Sequence, residues 1–264
     1  MPAFTGRFDR IGGEAMRYKA TVSYDGSNYF GWQSQSDVVN IQDTIEEALK
    51  SIHKREVRIT GSGSTDRGVH AVGQVFHFDS DLNISEESWV RAINANLPGD
   101  IHILKVEQVS DDFHARFDVV RKRYDYYLNT GEYDVFSRDH ILQFGQPLNI
   151  ERMQEAKEIL IGRHDFSSFS ANSFEETPDQ VRNLEVLEIE ENEDIIHFIF
   201  IGDGFMRYMV RMIVGALIEI GRNRMDKDEL KEILKSRNKN ARRCKAGAEG
   251  LYLSEVVYYQ EEEE

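Results

Sequence analysis

The sequence predicts an α+β protein of two similar lobes, each a mainly antiparallel sheet with helices on one face, and three observations carry that prediction. Alternating apolar stretches of strand length recur in both halves, mostly bounded by Gly, Asn, Asp or Pro. Capped amphipathic helices stand between them. The first half runs strand, helix, strands, helix, strand, and the second half repeats that mixture without a strong sequence repeat. With 264 residues, 40% of them hydrophobic, the chain can bury one large core or two smaller ones.

"MRYKATVSYDG" alternates as a strand and stops at Asp25-Gly26, a turn signal. "NIQDTIEEALKSIH" carries Ile41, Ile45, Leu49 and Ile52 at helical spacing, with Asn40 as N-cap and Asp43 three residues on, a relative of the capping box. "VRIT" and "GQVFHFD" read as strands on either side of the turn "GSGSTDRG". "SEESWVRAINANLP" is a helix capped by Ser85 and stopped before Pro98; "IHILKVEQV" and "RYDYYLNTG" are strands. In the second half "NIERMQEAKEILIG" is a capped amphipathic helix, and "VRNLEVLEIE" and "DIIHFIFIG" are strands. "FMRYMVRMIVGALIEIG" is a long helix, "DKDELKEILKS" a shorter one and "GLYLSEVVYY" a closing strand. The expected organisation is a loose extension over 1–15, an N-terminal lobe over 16–118, a C-terminal lobe over 119–260 and an acidic tail over 261–264. Met16 opens the first regular pattern, so either Met1 or Met16 could serve as the start.

Composition narrows the function classes. The single cysteine, Cys244, excludes an intramolecular disulfide framework and points to a reducing compartment. No histidine pair has the flanking ligands of a zinc site, so no metal is expected. Residues 1–15 lack the apolar core of a secretory signal, and the longest apolar run, Met209 to Ile220, is interrupted by Arg211 and Glu219. A cytoplasmic, soluble protein is expected. The net charge of −15 argues against nucleic acid as a partner, but its distribution does not. Phe205–Lys245 holds twelve Lys/Arg against five acids, Asp165–Ile201 ten acids against one arginine, and "RKRY" at 121–124 is a second basic cluster. Such polarity fits a polyanion partner, and it also fits ordinary solvated helix faces.

Three places could carry chemistry. Asp66 lies in "STDRG", where Gly63 and Gly68 free the backbone; it is either a turn-capping aspartate or a catalytic carboxylate. Tyr124 and Tyr126 share one face of a strand with Arg123 opposite, a pattern of two core tyrosines or of a ring that stacks on a base. Arg207 and Arg211 lie four apart on an apolar helix. Arg211, bracketed by Met209-Val210 and Met212-Ile213-Val214, asks for a buried anionic partner, with Asp66 as one candidate and a purely structural pair as the other.

These residues resemble the blocks of the tRNA pseudouridine synthase A family. "STDRGVHAVGQVFHF" is similar to that family's signature, and "YDGSNYFGWQ", "IQDTIEEAL", "NANLPGDI", "DDFHARFD", "RYDYYL", "HDFSSF", "FMRYMVRMIVGALIEIG" and "AEGLYL" follow its blocks in order from about Met16 to Tyr259. The resemblance implies the pseudouridine synthase fold and isomerisation of uridine at tRNA positions 38, 39 and 40. It implies no cofactor and a homodimer that clasps tRNA in basic clefts. It places the catalytic aspartate on Asp66, the base-stacking tyrosine on Tyr124 and the aspartate's arginine partner on Arg211. The matching blocks put Ser64, Arg67, His70, Arg116 and Arg207 among the expected substrate-binding positions. The chain departs from the family at Ser64, where an arginine usually precedes Thr-Asp, at Arg67, where a small residue is usual, and at Asp203 in "GDGF". The lost arginine is the one expected to help eject the target nucleotide and hold its phosphate, which a serine cannot do. Ser64 therefore keeps a second reading open, a catalytically weakened relative that binds tRNA. The acidic total keeps a third, a non-RNA N-glycosidase with paired carboxylates, although no second carboxylate accompanies Asp66.

Overall fold

A computed structural model describes residues 15–241 and 244–259. Most of the expected extension, the acidic tail, Arg242 and Arg243 lie outside the described residues. The described residues form ten strands and five α-helices, an α+β fold with a mostly antiparallel sheet arrangement. The chain divides into two compact units: one runs through Val120 and takes in the chain again from Leu253, and the other is Arg121–Tyr252. Among the described residues no helix is long and apolar enough to cross a membrane.

The first unit is built on β1 (Met16–Tyr24), which pairs antiparallel with β3 (His70–Ser80) on one side and β4 (Ile101–Val109) on the other. The part of β10 (Leu251–Tyr258) that belongs to this unit lies along the far side of β3. Alternate residues of β1, Tyr18, Ala20, Val22 and Tyr24, are buried, as the two-residue period requires. They meet α1 (Ile41–His53) and α2 (Glu86–Asn94) on one face, where the fully buried Trp89 packs against Tyr18, Phe78 and His53. Asn40 caps α1 as its sequence predicts: its Oδ1 accepts from Asp43 N–H at 2.8 Å and its Nδ2 donates back to the Asp43 carboxylate at 2.6 Å. The expected strand at "VRIT" is mostly loop. Only β2 (Thr60–Gly61) pairs with β3, because the Ile59 N–H is already held by the buried carboxylate of Glu46 at 3.1 Å.

The second unit orders its strands β5 (Val119–Asn129), β9 (Ile195–Gly202), β8 (Val181–Asn192) and β7 (Gly162–Asp165), all antiparallel, with the short β6 (Leu142–Gln143) parallel to β5. Its helices are α3 (Ile150–Lys157), α4 (Met209–Gly221) and α5 (Lys227–Ser236). Every residue of α4 except Glu219 is buried, so it is the core helix of this unit. Two expected helices are shorter than their patterns. The helix over 149–162 ends at Lys157, where Ile159 and Leu160 tighten into bonds three residues back and Gly162, at φ +102°, opens β7. The helix over 205–221 starts only at Met209. Arg207 uses its N–H on Asn172 Oδ1 (2.9 Å) and its carbonyl on Ala171 N–H (3.0 Å), and Tyr208 sits at φ 65°, outside helical space. Arg207 therefore precedes the helix that carries Arg211.

Candidate active site

The loop from β2 to β3 carries Asp66, and it is tied down on two sides. On the sheet side Ser62 N–H donates to Val75 O at 2.7 Å, the Ser62 hydroxyl donates to Gln74 Oε1 at 2.7 Å, and Gln74 Nε2 donates to Gly63 O at 2.9 Å. On the other side the segment after β1 holds it. Trp32 N–H donates to Thr65 O at 3.1 Å, Gly68 N–H donates to Tyr29 O at 3.2 Å, and the Tyr24 and Thr65 hydroxyls share a bond of 2.8 Å. Burial pushes the Tyr24 phenol up, so it remains protonated at neutral pH. Asp66 closes a four-residue turn with its carbonyl, which accepts Val69 N–H at 3.1 Å, and Gly68 supplies φ +79° at the third position.

Two further glycines let the layers approach. Gly31 stands at φ +91°, and a Cβ there would lie 2.5 Å from Thr65 O; a Cβ on Gly61 would lie 2.6 Å from the Trp32 indole nitrogen. His70 is buried under the turn, where its Nδ1 accepts Gly26 N–H at 3.1 Å and lies 3.2 Å from an Asp25 oxygen.

The departures from the family pattern have defined surroundings. Ser64 is exposed, and its hydroxyl donates to Gln33 Oε1 at 3.2 Å. It lines a cleft of about 210 Å³ with Gln33, Gln42, Thr60 and Arg116. Arg67 turns elsewhere, its guanidinium lying over the Phe30 ring at 4.2 Å. Neighbouring positions of this turn thus address different surroundings, and Arg67 does not occupy the place of a side chain at 64.

Arg116 reaches the cleft from the loop 111–118, which is pinned at Ala115: His77 Nδ1 accepts Ala115 N–H at 3.1 Å, and the Tyr258 hydroxyl donates to Ala115 O at 2.7 Å. Burial first, with the charges of Arg17 and His114, pushes the His77 imidazole down to about 4. The unfolded chain, with a histidine near 6.5, then takes up the proton first. The stability His77 confers is complete above about pH 6.5 and is lost as pH falls toward 4. Urea unfolding between pH 7 and 4.5 checks this: the wild type is expected to lose more stability than His77→Gln, and parallel losses would refute it.

In the second unit Tyr124 and Tyr126 share the buried face of β5, and Arg123 faces the other way, as the alternation predicts. Phe205 meets the Tyr124 ring edge-on at 5.1 Å. Tyr126 is anchored by its hydroxyl on Gly247 O at 3.0 Å. Arg123 grips the buried Asp125 with two bonds of 2.9 and 2.8 Å, and His197 Nε2 reaches the same carboxylate at 2.6 Å. Arg211 is buried; its Nε donates to Ala246 O at 3.0 Å, and Ala246 N–H donates back to Arg211 O at 3.0 Å. Asp203 accepts Asn183 N–H at 2.9 Å, so its carboxylate is engaged at the start of β8.

Sequence reasoning missed Tyr24, Gly31, Trp32 and Gln74 as supports of the Asp66 loop. "FGWQ" offered the one local signal, a glycine beside a large aromatic. Tyr208 was also passed over, and Lys245 counted only as one charge of the basic window 205–245.

The family described as tRNA pseudouridine synthase matches residues 20–118 and 156–259. Proteins named tRNA pseudouridine synthase A are 42% identical in Bacillus licheniformis and 44% in Bacillus pumilus, each over 92% of this chain and 99% of the relative. The Bacillus subtilis protein of that name is 43% identical over the same shares. Among solved structures, a chain of a Cbf5-Nop10-Gar1 complex covers 76% of this chain and 54% of its own length at 12% identity, with a TM-score of 0.32. The class is that of an isomerase. The chain belongs to the tRNA pseudouridine synthase family.

Proposed function

We propose that this chain isomerises uridine to pseudouridine at positions 38, 39 and 40 of the tRNA anticodon stem-loop, with Asp66 as the catalytic carboxylate. The observation that carries this reading is the loop itself, a carboxylate between Thr65 and Gly68, both bonded to the segment that follows β1. A reacting group on such a fixed backbone needs little reordering to reach its productive geometry. The C1′–N1 bond breaks, the uracil turns, a C1′–C5 bond forms, the C5 proton is released and N1 takes one up. An ionised Asp66 serves as nucleophile or stabilises the positive charge that develops at C1′. Arg211 is assigned the counter-charge that favours the ionised form. Tyr124 is assigned the stack on the flipped base, worth about 1–3 kcal/mol. Ser64, Arg67, His70, Arg116 and Arg207 are assigned contacts to the RNA, and His70, which accepts Gly26 N–H, also holds the turn in place. The protein acts without a cofactor, in the cytoplasm, as a homodimer on tRNA.

Anticodon stem-loop transcripts with a single uridine at 38, 39, 40 or a control position test the assignment. Pseudouridine confined to the first three is expected, and pseudouridine only elsewhere, or nowhere, would refute it.

The exposed, neutral Ser64 supports a second reading, a relative that binds tRNA but turns it over poorly. Ser64→Arg places a cation at the rim of the cleft and is expected to raise turnover severalfold. Unchanged or lower turnover would show that no cation is wanted there.

A further inference from the structure

We infer that Lys245, Arg207 and the Tyr208 ring form a seat for one backbone phosphate of the bound RNA, at the N-terminus of α4; this rests on the tRNA reading above. Three cations surround one ring. Lys245 Nζ stands 4.1 Å from the centre of Tyr208, Arg207 Cζ 5.0 Å and Arg211 Cζ 5.3 Å. A ring face attracts a cation, but the exposed Arg207 and Lys245 beside one ring repel each other unless an anion joins them. Arg207 and Lys245 are exposed, and neither makes an ion pair with a described carboxylate. Asp203, the nearest acid in sequence to Arg207, is engaged by Asn183 N–H.

The cluster is built rather than incidental. Lys245 lies far along the chain from Tyr208, and three features bring it there. Gly215 has no Cβ, and one placed there would strike the Cys244 carbonyl, so only glycine lets the 244–246 segment lie against α4. The paired bonds between Arg211 and Ala246 then fix that segment one residue beyond Lys245. Tyr208 is held at φ 65°, a costly conformation for a tyrosine, by the anchoring of Arg207 to 171–172. No side chain caps α4, so the positive end of its dipole faces the same place. The ligand these groups suit is a phosphodiester: two exposed cations, a phenol and a helix end supply donors to one anion, and none of them reads a base.

The test is tRNA binding by Lys245→Ala as a function of salt, with single-turnover pseudouridine formation measured alongside. About tenfold weaker binding is expected, with the slope of log affinity on log salt smaller by about one, because one phosphate contact is lost. The rate at saturating tRNA is expected to stay near that of the wild type, and Lys245→Arg to restore affinity. Lys245→Met, which keeps the length and apolar stem of the side chain and removes only its charge, gives the same readout should Lys245→Ala melt early. Affinity and slope within twofold of the wild type, with the wild type active, overturn the phosphate seat alone. A wild type that makes no pseudouridine overturns the functional reading and this inference together.

Discussion

Asp66→Asn is expected to lower pseudouridine formation by about a thousandfold or more, because an amide can neither attack C1′ nor carry the charge that offsets a cation there. The substitution keeps the shape of the side chain. The loop bonds described above run through the backbone, the Ser62 and Thr65 hydroxyls and the Gln74 amide. The variant is expected still to bind tRNA, and its melting temperature separates loss of chemistry from loss of fold. Asp66→Glu separates charge from position: it keeps the carboxylate but moves it by about one methylene, and a displacement of that order costs on the order of a hundredfold. Single-turnover rates of the two variants, with melting temperatures beside them, decide the matter. An Asp66→Asn enzyme that kept more than about one-hundredth of the rate would remove Asp66 from the chemistry.

Gly31→Ala is expected to damage stability and activity together. At φ +91° an alanine is strained by about 1–3 kcal/mol before any contact is counted. Its Cβ would also lie 2.5 Å from Thr65 O and 3.1 Å from the Asp66 carbonyl carbon. Both are backbone atoms, so no flexible side chain can move aside and the Asp66 loop must shift. A fall in melting temperature of about 5–10 °C follows from a cost of that size in a chain of this length. Turnover is expected to drop about a hundredfold through displacement of Asp66. Gly99→Ala is the control, since a Cβ there meets nothing within 4 Å. If Gly31→Ala melted and turned over like Gly99→Ala, the loop would not be held as described.

What could be read from the chain differs by the kind of interaction. Helix α1 was legible to the residue, since its apolar spacing and its Asn40–Asp43 cap are local. The Asp66 turn was legible for the same reason, as Gly68 announces a turn by itself. Helix α4 was misread at its start because the bonds that hold Arg207 out of the helix come from Ala171 and Asn172, over thirty residues away. "VRIT" alternates like a strand, but a carboxylate on α1 takes the Ile59 N–H. The strands β6 and β7 are too short to carry a period. Tyr24, Trp32 and Gln74 read as ordinary sheet and core residues; their bonds to the Asp66 loop are made only once the chain has folded. Lys245 was counted as one charge in a basic window, and its place beside Tyr208 depends on the missing side chain of Gly215.

Exchange of a C–N for a C–C glycosidic bond in tRNA uridine, the step assigned to Asp66, expels the hydrogen at C5. Tritium release from tRNA labelled at uridine C5 reads it directly. The wild type is predicted to release tritium and Asp66→Asn to release none. Wild-type protein that bound tRNA at moderate salt and released no tritium would contradict the assigned isomerisation.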